Sequence, residues 1–479
     1  MQQYIIKRIL MMIPTLFAIT VIVFGILQMA PGKPGGGLET DSESANKQEG
    51  MAGHLIFKRQ FHLDKPVFFN FRFWLNDDDI IQLLDEKYDK TKKYTRAQKN
   101  VATETIEDYG NDILPNFHRI LERSDDKELK IRILSSFSAN AARTLIHRFG
   151  EKLSEEERFI NRETERENRR VAKFSYSPTM SSAEFDKLNF QVIDYLRSIE
   201  DRWNYSLLQK MYKCFFDTRF SYYFYNLLHF DFGISMVDKQ PVLPKIMEKV
   251  GYSILLSVGS IILAYLLAVP IGIYSAVNPK TLLDKAITVG LFMLYSLPTF
   301  FVGTVLLFYF SEGSEYYKWF PTGGFKSIDS DNMTSLQQLK DISIHMILPL
   351  VCLTYVSLAS ISRYARTGLL DVIHSDYIKT ARAKGLGEWV VVFKHAVRNG
   401  LIPILTLLGS VLPAVVSGSV VIEVIFNIPG IGLESFNAVI TRDYNMVMGI
   451  QLISAVLTLL GLLVSDILYS IVDPRIQYE

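Results

Sequence analysis

The sequence predicts an all-α membrane protein with six membrane-spanning helices and a large helical extracytoplasmic insertion between spans 1 and 2. Three observations predict it. Six runs contain no Asp, Glu, Lys or Arg, at about 9–29, 252–277, 286–311, 342–362, 399–422 and 444–465, and each has roughly the 20 helical residues that cross a bilayer core. Charge is segregated: residues 38–226 hold about 32 of the 50 acidic and about 31 of the 51 basic residues. Inside that charged block, apolar residues recur at three- to four-residue spacing, which is the period of an amphipathic helix.

The first run follows Lys7 and Arg8. Its apolar part exceeds the usual signal-peptide core, and Ala30-Pro31-Gly32 is a poor processing site, so an uncleaved anchor is expected. The inner segments 1–8, 278–285, 363–398 and the tail carry about 12 Lys and Arg, against about 4 in the outer loops 312–341 and 423–443. Basic residues stay on the cytoplasmic side. This orientation puts both termini in the cytoplasm and residues 38–226 outside, although Lys239, Lys245 and Lys249 flank the second span on its outer side.

Within the insertion, Ile113, Leu114, Phe117, Ile120 and Leu121 precede a stripe at Leu129, Ile133, Phe137, Ala141, Leu145 and Phe149. A second stripe follows at Phe185, Leu188, Val192, Leu196, Ile199, Trp203 and Leu207. Both predict helices packed in a small domain. The almost wholly charged stretch 152–170 reads as a solvated helix or linker. His118 and His147 lack metal-ligand spacing, and no catalytic set is legible.

Prolines 270, 298, 349, 403 and 413 fall inside spans. A bundle must satisfy the carbonyls they free, often by bending. The fifth run also holds Gly409, Ser410, Ala414, Ser417, Gly418 and Ser419, a small-residue surface suited to close backbone approach. Outside it, the segment 423–443 sets Pro429, Gly430 and Gly432 among Val424, Ile425, Phe426 and Ile431, and ends on Arg442 and Asp443. Irregular backbone at a membrane surface must be covered by protein or line water. A turn capping two helices fits these residues; Arg442 and Asp443 read as structural partners and not as substrate ligands.

Composition excludes other classes. A net charge of +1 without basic clusters does not suit a nucleic-acid binder. Two distant cysteines, Cys214 and Cys352, make neither a disulfide framework nor a zinc site. The stretch GKPGGG at 32–37 lacks the spacing and the hydroxyl of a phosphate-binding loop. Any nucleotide chemistry therefore belongs to another chain, and no cofactor is expected on this one.

The cytoplasmic loop 363–398 carries most information. Its residues 377–384 favour a short helix that Gly385 and Gly387 would stop, with a second helix starting at Trp389. Small Ala381 and Ala383 would leave a low knob for a groove on another protein, while a solvated basic loop is the plainer reading of these residues taken alone. The loop resembles the EAA loop of binding-protein-dependent ABC importers in its peptide and nickel permease form, with Tyr377, Thr380, Ala381, Ala383, Lys384 and Gly385 at the typical positions. Other pieces match that family in order: the opening 5–32, FHLDKP at 61–66, FDFG at 230–233, GSVVIEVIFNIPGIG at 418–432, RDYNMVMG at 442–449 and DPRIQY at 473–478. The resemblance covers 1–77 and 227–479 and is similar to the B-type subunit. YYKWFPTGG and the C-terminal SDILYSIVDPRIQYE resemble the YejB branch, associated with peptide and microcin C uptake.

The resemblance implies a type I ABC importer permease fold in the cytoplasmic membrane. It implies a non-catalytic subunit moving peptides by alternating access, driven by ATP and Mg on two separate ATPase subunits. A second, C-type permease and an extracytoplasmic peptide-binding protein would be its partners. The ATPase-coupling residues would be Tyr377, Thr380, Ala381, Ala383, Lys384, Gly385, Leu386, Gly387 and Trp389; the outer segment would use Glu423, Pro429, Gly430, Gly432, Arg442 and Asp443. The expected domains are 1–37, 38–77, 78–226 and 227–479. The chain departs from the general EAA pattern at Lys379, where an acid is usual, and at Thr380, where an alanine is usual, and from the family at Lys33, where a small or acidic residue is usual. Competing expectations are a nickel permease of the same family and a membrane-anchored sensor whose outer helical domain is the working part.

Overall fold

In hydrocarbon, backbone N–H and C=O groups must be satisfied within the segment, so the apolar runs fold as helices. The computed structural model describes residues 2–30, 58–59, 61–91, 93–146, 153–400 and 419–472. In chain order the main helices are α1 (Gln2–Met29), α2 (Asp77–Tyr88), α3 (Arg96–Tyr109), α4 (Leu114–Arg123), α5 (Lys127–Ala141), α6 (Glu155–Ala172), α7 (Ser182–Ser198), α8 (Leu207–Phe216) and α9 (Arg219–Leu228). They continue with α10 (Val242–Val277), α11 (Leu282–Ser296), α12 (Thr299–Phe310), α13 (Ser335–Ile373), α14 (Asp376–Ala383), α15 (Val420–Ile425), α16 (Ile431–Ile440) and α17 (Tyr444–Val472). The chain divides into two compact units, one of Met1–Gly37 with Phe232–Glu479 and the other of Leu38–Asp231.

In the first unit, α1, α10, α13 and α17 are long and apolar enough to cross a membrane, and α11 with α12 makes a fifth crossing if the bent pair is one span. The fifth predicted run lies mostly outside the described residues, together with Pro403, Pro413, Gly409, Ser410, Ala414, Ser417 and Gly418. Lys33, His147, Phe149 and the DPRIQY segment lie outside them too.

The third predicted span, 286–311, is not one straight helix: α11 and α12 meet at 94°. Proline explains the break. Pro298 forms the N-cap of α12, and Leu297 before it is extended, with ψ at 129°, because the proline ring disfavours helical geometry in the preceding residue. The Leu297 carbonyl freed by the bend accepts a hydrogen bond from the Tyr355 hydroxyl at 2.8 Å. Pro270 and Pro349, by contrast, sit inside unbroken helices.

The axis of this unit is the α10–α13 pair. Small residues make it close: Ala264 and Ala268 of α10 pack with Ile361 and Ala365 of α13. At Gly272 a Cβ would stand 2.4 Å from Ala365 Cβ and 2.6 Å from the Ser362 carbonyl oxygen, so only glycine permits the contact. The N-terminal helix is tied to the last one by Asp466, which accepts a hydrogen bond from Tyr4 at 2.9 Å and an ion pair from Arg8 at 3.1 Å.

The second unit is built on α2–α9. Its core includes Ile80, Leu84, Ile106, Phe117, Ile133, Phe137, Val192 and Leu196, all buried. Four of its helices start on reciprocal capping boxes, at Thr95/Gln98, Ser154/Glu157, Ser181/Glu184 and Ser206/Gln209, which satisfy two orphan N–H groups each. The predicted stripes run past the helices that carry them. Leu145 lies beyond the end of α5 at Ala141. Leu207 opens α8, started afresh by the Ser206 cap, and points to solvent instead of continuing the core stripe. The charged stretch is a helix, α6, whose Thr164 and Val171 are buried. Residues 61–75 belong to this unit: the N–H groups of Asn70 and Arg219 bond to the carbonyls of Cys214 and Pro66, both at 2.9 Å, and Lys65 pairs with Asp217.

Truncating Phe137, fully buried among Phe174 and Tyr195, is expected to destabilise the second unit by about 3–5 kcal/mol. Hydrogen exchange on Phe137→Ala checks it: exchange should accelerate through α5 and α7 and stay unchanged in α10 and α13.

Candidate functional site

Two constructions in the first unit stand out, one on the segment after α13 and one around α15 and α16. The first begins where α13 ends at Ile373 and the chain turns into α14. Ile378 and Ala381 of α14 face inward, against Ile273 and Ala276 of α10, Leu369 of α13, and Val391, Val392 and Ala396 beyond the loop. Burying one such isoleucine contributes about 1.5–3 kcal/mol, which fixes the helix to the long α10–α13 pair. Ala381 is therefore not part of an outward knob, as its small size alone suggested; it is the close contact by which α14 seats on the bundle.

The other predicted residues face out. Tyr377, Thr380, Ala383, Lys384, Gly385, Leu386, Gly387 and Trp389 are exposed. The Thr380 hydroxyl is turned back to the Asp376 carbonyl at 2.9 Å. Lys379, standing where an acid was expected, pairs with Asp376 at 2.9 Å. Gly385 ends the helix with φ at +76°, and an added Cβ at Gly385 or Gly387 would meet nothing within 4 Å. Gly385 is thus needed for its left-handed backbone. Gly387 has an ordinary extended backbone, with φ at −60° and ψ at 145°. Arg382 grips Glu388 across this bend at 2.6 Å, and that hydrogen bond holds the Glu388 carboxyl below its usual range. Beyond it the chain is helical in three pieces, Glu388–Val390, Val391–Ala396 and Val397–Gly400, the middle one a π-helix, and Trp389 packs its ring on Phe393 at 3.9 Å. The result is a bracket with a buried apolar foot and an exposed head of Tyr377, Leu386, Trp389 and Phe393.

The second construction centres on Glu423, fully buried in α15. Its carboxylate accepts hydrogen bonds from the Ser253 hydroxyl of α10 at 2.9 Å, from the Ser419 N–H at 3.2 Å and from the Leu433 N–H at 3.1 Å, and also from the Gly432 N–H. Ser253 accepts in turn from the Ile431 N–H at 2.8 Å. The first three N–H groups of α16 are thereby satisfied by two side chains from other helices, and a negative charge is set where the helix dipole is positive. Gly430 and Gly432 make room for it, since a Cβ on them would lie 2.4 Å and 2.8 Å from Glu423 Oε2.

The segment 423–443 is thus a packed cap in which two short helices replace most of the predicted irregular backbone. Pro429 sits in the turn between them, where the Gly430 N–H bonds to the Ile428 carbonyl at 2.7 Å. Arg442 and Asp443 do not act as a couple. Arg442 is exposed in left-handed backbone with φ at 55°. Asp443 is buried; it takes hydrogen bonds from the Ser235 hydroxyl, the Met236 N–H at 3.1 Å and the Met446 N–H at 3.2 Å, so it caps α17 and anchors the turn before α10. Sequence reasoning missed Ser253 and Ser235, each one serine in or beside an apolar stretch with its partner about 170 or more residues away.

Comparison with known proteins follows this part of the chain. Residues 268–478 match the family described as binding-protein-dependent transport system inner membrane component. The chain is similar to the oligopeptide transport system permease protein AppB of Bacillus subtilis, 41% identical over 254 residues, which is 53% of this chain and 78% of the relative. It is similar to the peptidoglycan transport system permease protein YejB of Agrobacterium fabrum, 35% identical over 57% of this chain and 76% of the relative. With the dipeptide transport system permease protein DppB of Escherichia coli it shares 33% identity over 54% of this chain and 81% of the relative.

Proposed function

The chain belongs to the family of binding-protein-dependent transport system inner membrane components, and from that membership we propose how it works as the permease subunit of a peptide importer. It is a multi-pass membrane subunit that provides the peptide path. ATP hydrolysis falls to separate subunits, and a binding protein delivers the cargo from outside. The assembly would contain two ATPases and a second permease, with both termini of this chain in the cytoplasm and residues 38–226 on the far side of the inner membrane.

The observation that carries the mechanism is the bracket at 376–400, with a foot buried in the α10–α13 pair and a head of exposed side chains. A groove on an ATPase that closes around the head would pull on Ile378 and Ala381, and through them on the two longest helices of the unit. Tyr377, Thr380, Ala383, Lys384, Gly385, Leu386, Gly387 and Trp389 would be the gripped surface; Ala381 would pass the movement inward. At the other end of α10, Ser253 is joined to Glu423 and α16, so a tilt of α10 would reach the outer cap formed by 423–443. Coupling of this kind needs an element with two arrangements that both ends bias, and α10 touches both constructions.

Copurification from native membranes tests the assembly. The tagged chain should retain two ATPases and a second permease, and peptide should stimulate their ATP turnover in the presence of binding protein. Recovery of the chain alone, with its outer unit bound to an unrelated protein, would favour the sensor reading.

A further inference from the structure

The second unit carries an amphipathic helix turned inside out. In α8 the side chains that face the unit are Lys213, ion-paired with Asp112 and hydrogen-bonded to the Tyr205 hydroxyl at 3.0 Å, and Cys214. The side chains that face out are apolar apart from the capping residue Gln209: Leu207, Leu208, Met211, Tyr212, Phe215 and Phe216 are each more than half exposed, Leu208 at 78%. They form a single stripe, because positions one, four and five apart fall on one side of a helix.

The stripe does not stop at the helix edge. Phe215 meets Phe69 with ring centroids 5.8 Å apart; Phe69 stacks on Phe71 at 6.2 Å, and Phe71 on Trp74 at 5.9 Å. These three aromatics are exposed as well, Trp74 at 69%. Contiguous apolar surface of this kind on a folded unit marks a place where something other than water is bound.

We propose that this face lies in the interfacial layer of the lipid bilayer that the spans cross, with α8 parallel to the membrane plane. Three features favour lipid over a protein partner. First, further exposed apolar residues, Tyr225, Leu228 and Phe230, follow in the chain, and the connection from Leu228 to Val242 has 13 residues, which reach at most about 45 Å when fully extended. The face is therefore tethered to a spanning helix. Second, its composition of Trp, Tyr, Phe and Leu around one side of a short helix is that of interfacial segments, where aromatic rings sit at headgroup level. Third, the cationic Lys213 turns inward to Asp112 and leaves the apolar side free of charge, as burial among acyl chains requires. The proposal goes beyond peptide transport and is independent of the cargo.

The test uses the full chain in nanodiscs of phosphatidylethanolamine and phosphatidylglycerol. Spin labels are placed at Leu208→Cys, Tyr212→Cys and Phe216→Cys in a background where Cys214 and Cys352 are alanine, with Glu163→Cys on the charged α6 as reference. Collision rates with oxygen and with a water-soluble nickel complex should put the three labels about 5–10 Å below the headgroup plane, and the reference in water. A second readout uses the unaltered protein: photoactivated lipid with a diazirine in its acyl chain should leave adducts on the peptide 207–216. Three aqueous labels with no adducts there would overturn the proposal. So would labels shielded from both reagents only after binding protein is added, which would assign the face to that partner.

Discussion

Tryptophan in place of Gly387 is expected to lower ATP-driven peptide uptake about tenfold or more, the scale of a coupling free energy of 1–3 kcal/mol, while membrane abundance stays at the wild-type level. The position separates bulk from strain. Gly387 has ordinary extended backbone and open space around its Cβ position, so the chain itself has no reason to misfold, and any effect must come from what approaches from outside. Gly385 is the less clean site: a side chain at φ +76° adds about 1–2 kcal/mol of left-handed backbone strain. The variant should still copurify with the ATPases to some degree and keep basal ATP turnover, because only the seating of the bracket is disturbed. Uptake in proteoliposomes and ATP hydrolysis measured on the same preparation check the pair of expectations. Unchanged uptake would remove Gly387 from the gripped surface.

The second large effect is expected at Glu423. Each of its four partners donates a hydrogen bond, so the site fits a carboxylate and not an amide. Glu423→Gln can keep its oxygen on the α16 N–H groups only by turning its NH₂ toward the Ser419 N–H and the Ser253 hydroxyl, so at least one buried N–H donor loses its acceptor. Losing a hydrogen bond to a buried charged acceptor costs about 1.5–3 kcal/mol, and melting should fall by about 2–4 °C for each kcal/mol in a unit of this size. Gly430→Ala should do similar damage by another route, pressing a methyl group into Glu423 Oε2 and Ser253 Oγ. Ser253→Ala removes one donor to the carboxylate and also the acceptor of the buried Ile431 N–H; it leaves the three backbone donors on the carboxylate, so its melting point should fall, by less than that of Glu423→Gln. Thermal melting in detergent orders the three variants. If the cap transmits the tilt of α10, uptake should fall further than the loss of folded protein explains.

The legible parts of this molecule were the local ones. The short helix expected at 377–384 and its stop at Gly385 follow from neighbours in sequence, and the structure has the helix at Asp376–Ala383 and the stop at Gly385. The proline at 298 announced a bend, yet its size depends on packing against α13, where Tyr355 takes up the freed carbonyl. In the second unit the apolar period ran on past Ile199, but the Ser206/Gln209 capping box restarts the chain there; a start signal of this kind outranks a continuing period. The cap at 423–443 was not legible. Glu423 carries an obvious charge, but its partner Ser253 is an unremarkable serine in an apolar run. Only the fold brings the two together, across 170 positions. Ala381 shows the same limit on a smaller scale: its size was read correctly and its direction was not, because one helix face looks like another until a neighbour is packed against it.

The most direct measurement is the accessibility of a single thiol at the head of the bracket. Cys214 and Cys352 are buried, so Lys384→Cys, on an exposed residue, is the thiol that a membrane-impermeant maleimide reaches first. It should stay unmodified in intact spheroplasts, react in inside-out vesicles, and become shielded there once the ATPase subunits are bound. Reaction from the outer face of intact spheroplasts, or reaction in inside-out vesicles that bound ATPases leave unchanged, would contradict the coupling of this segment to ATP hydrolysis.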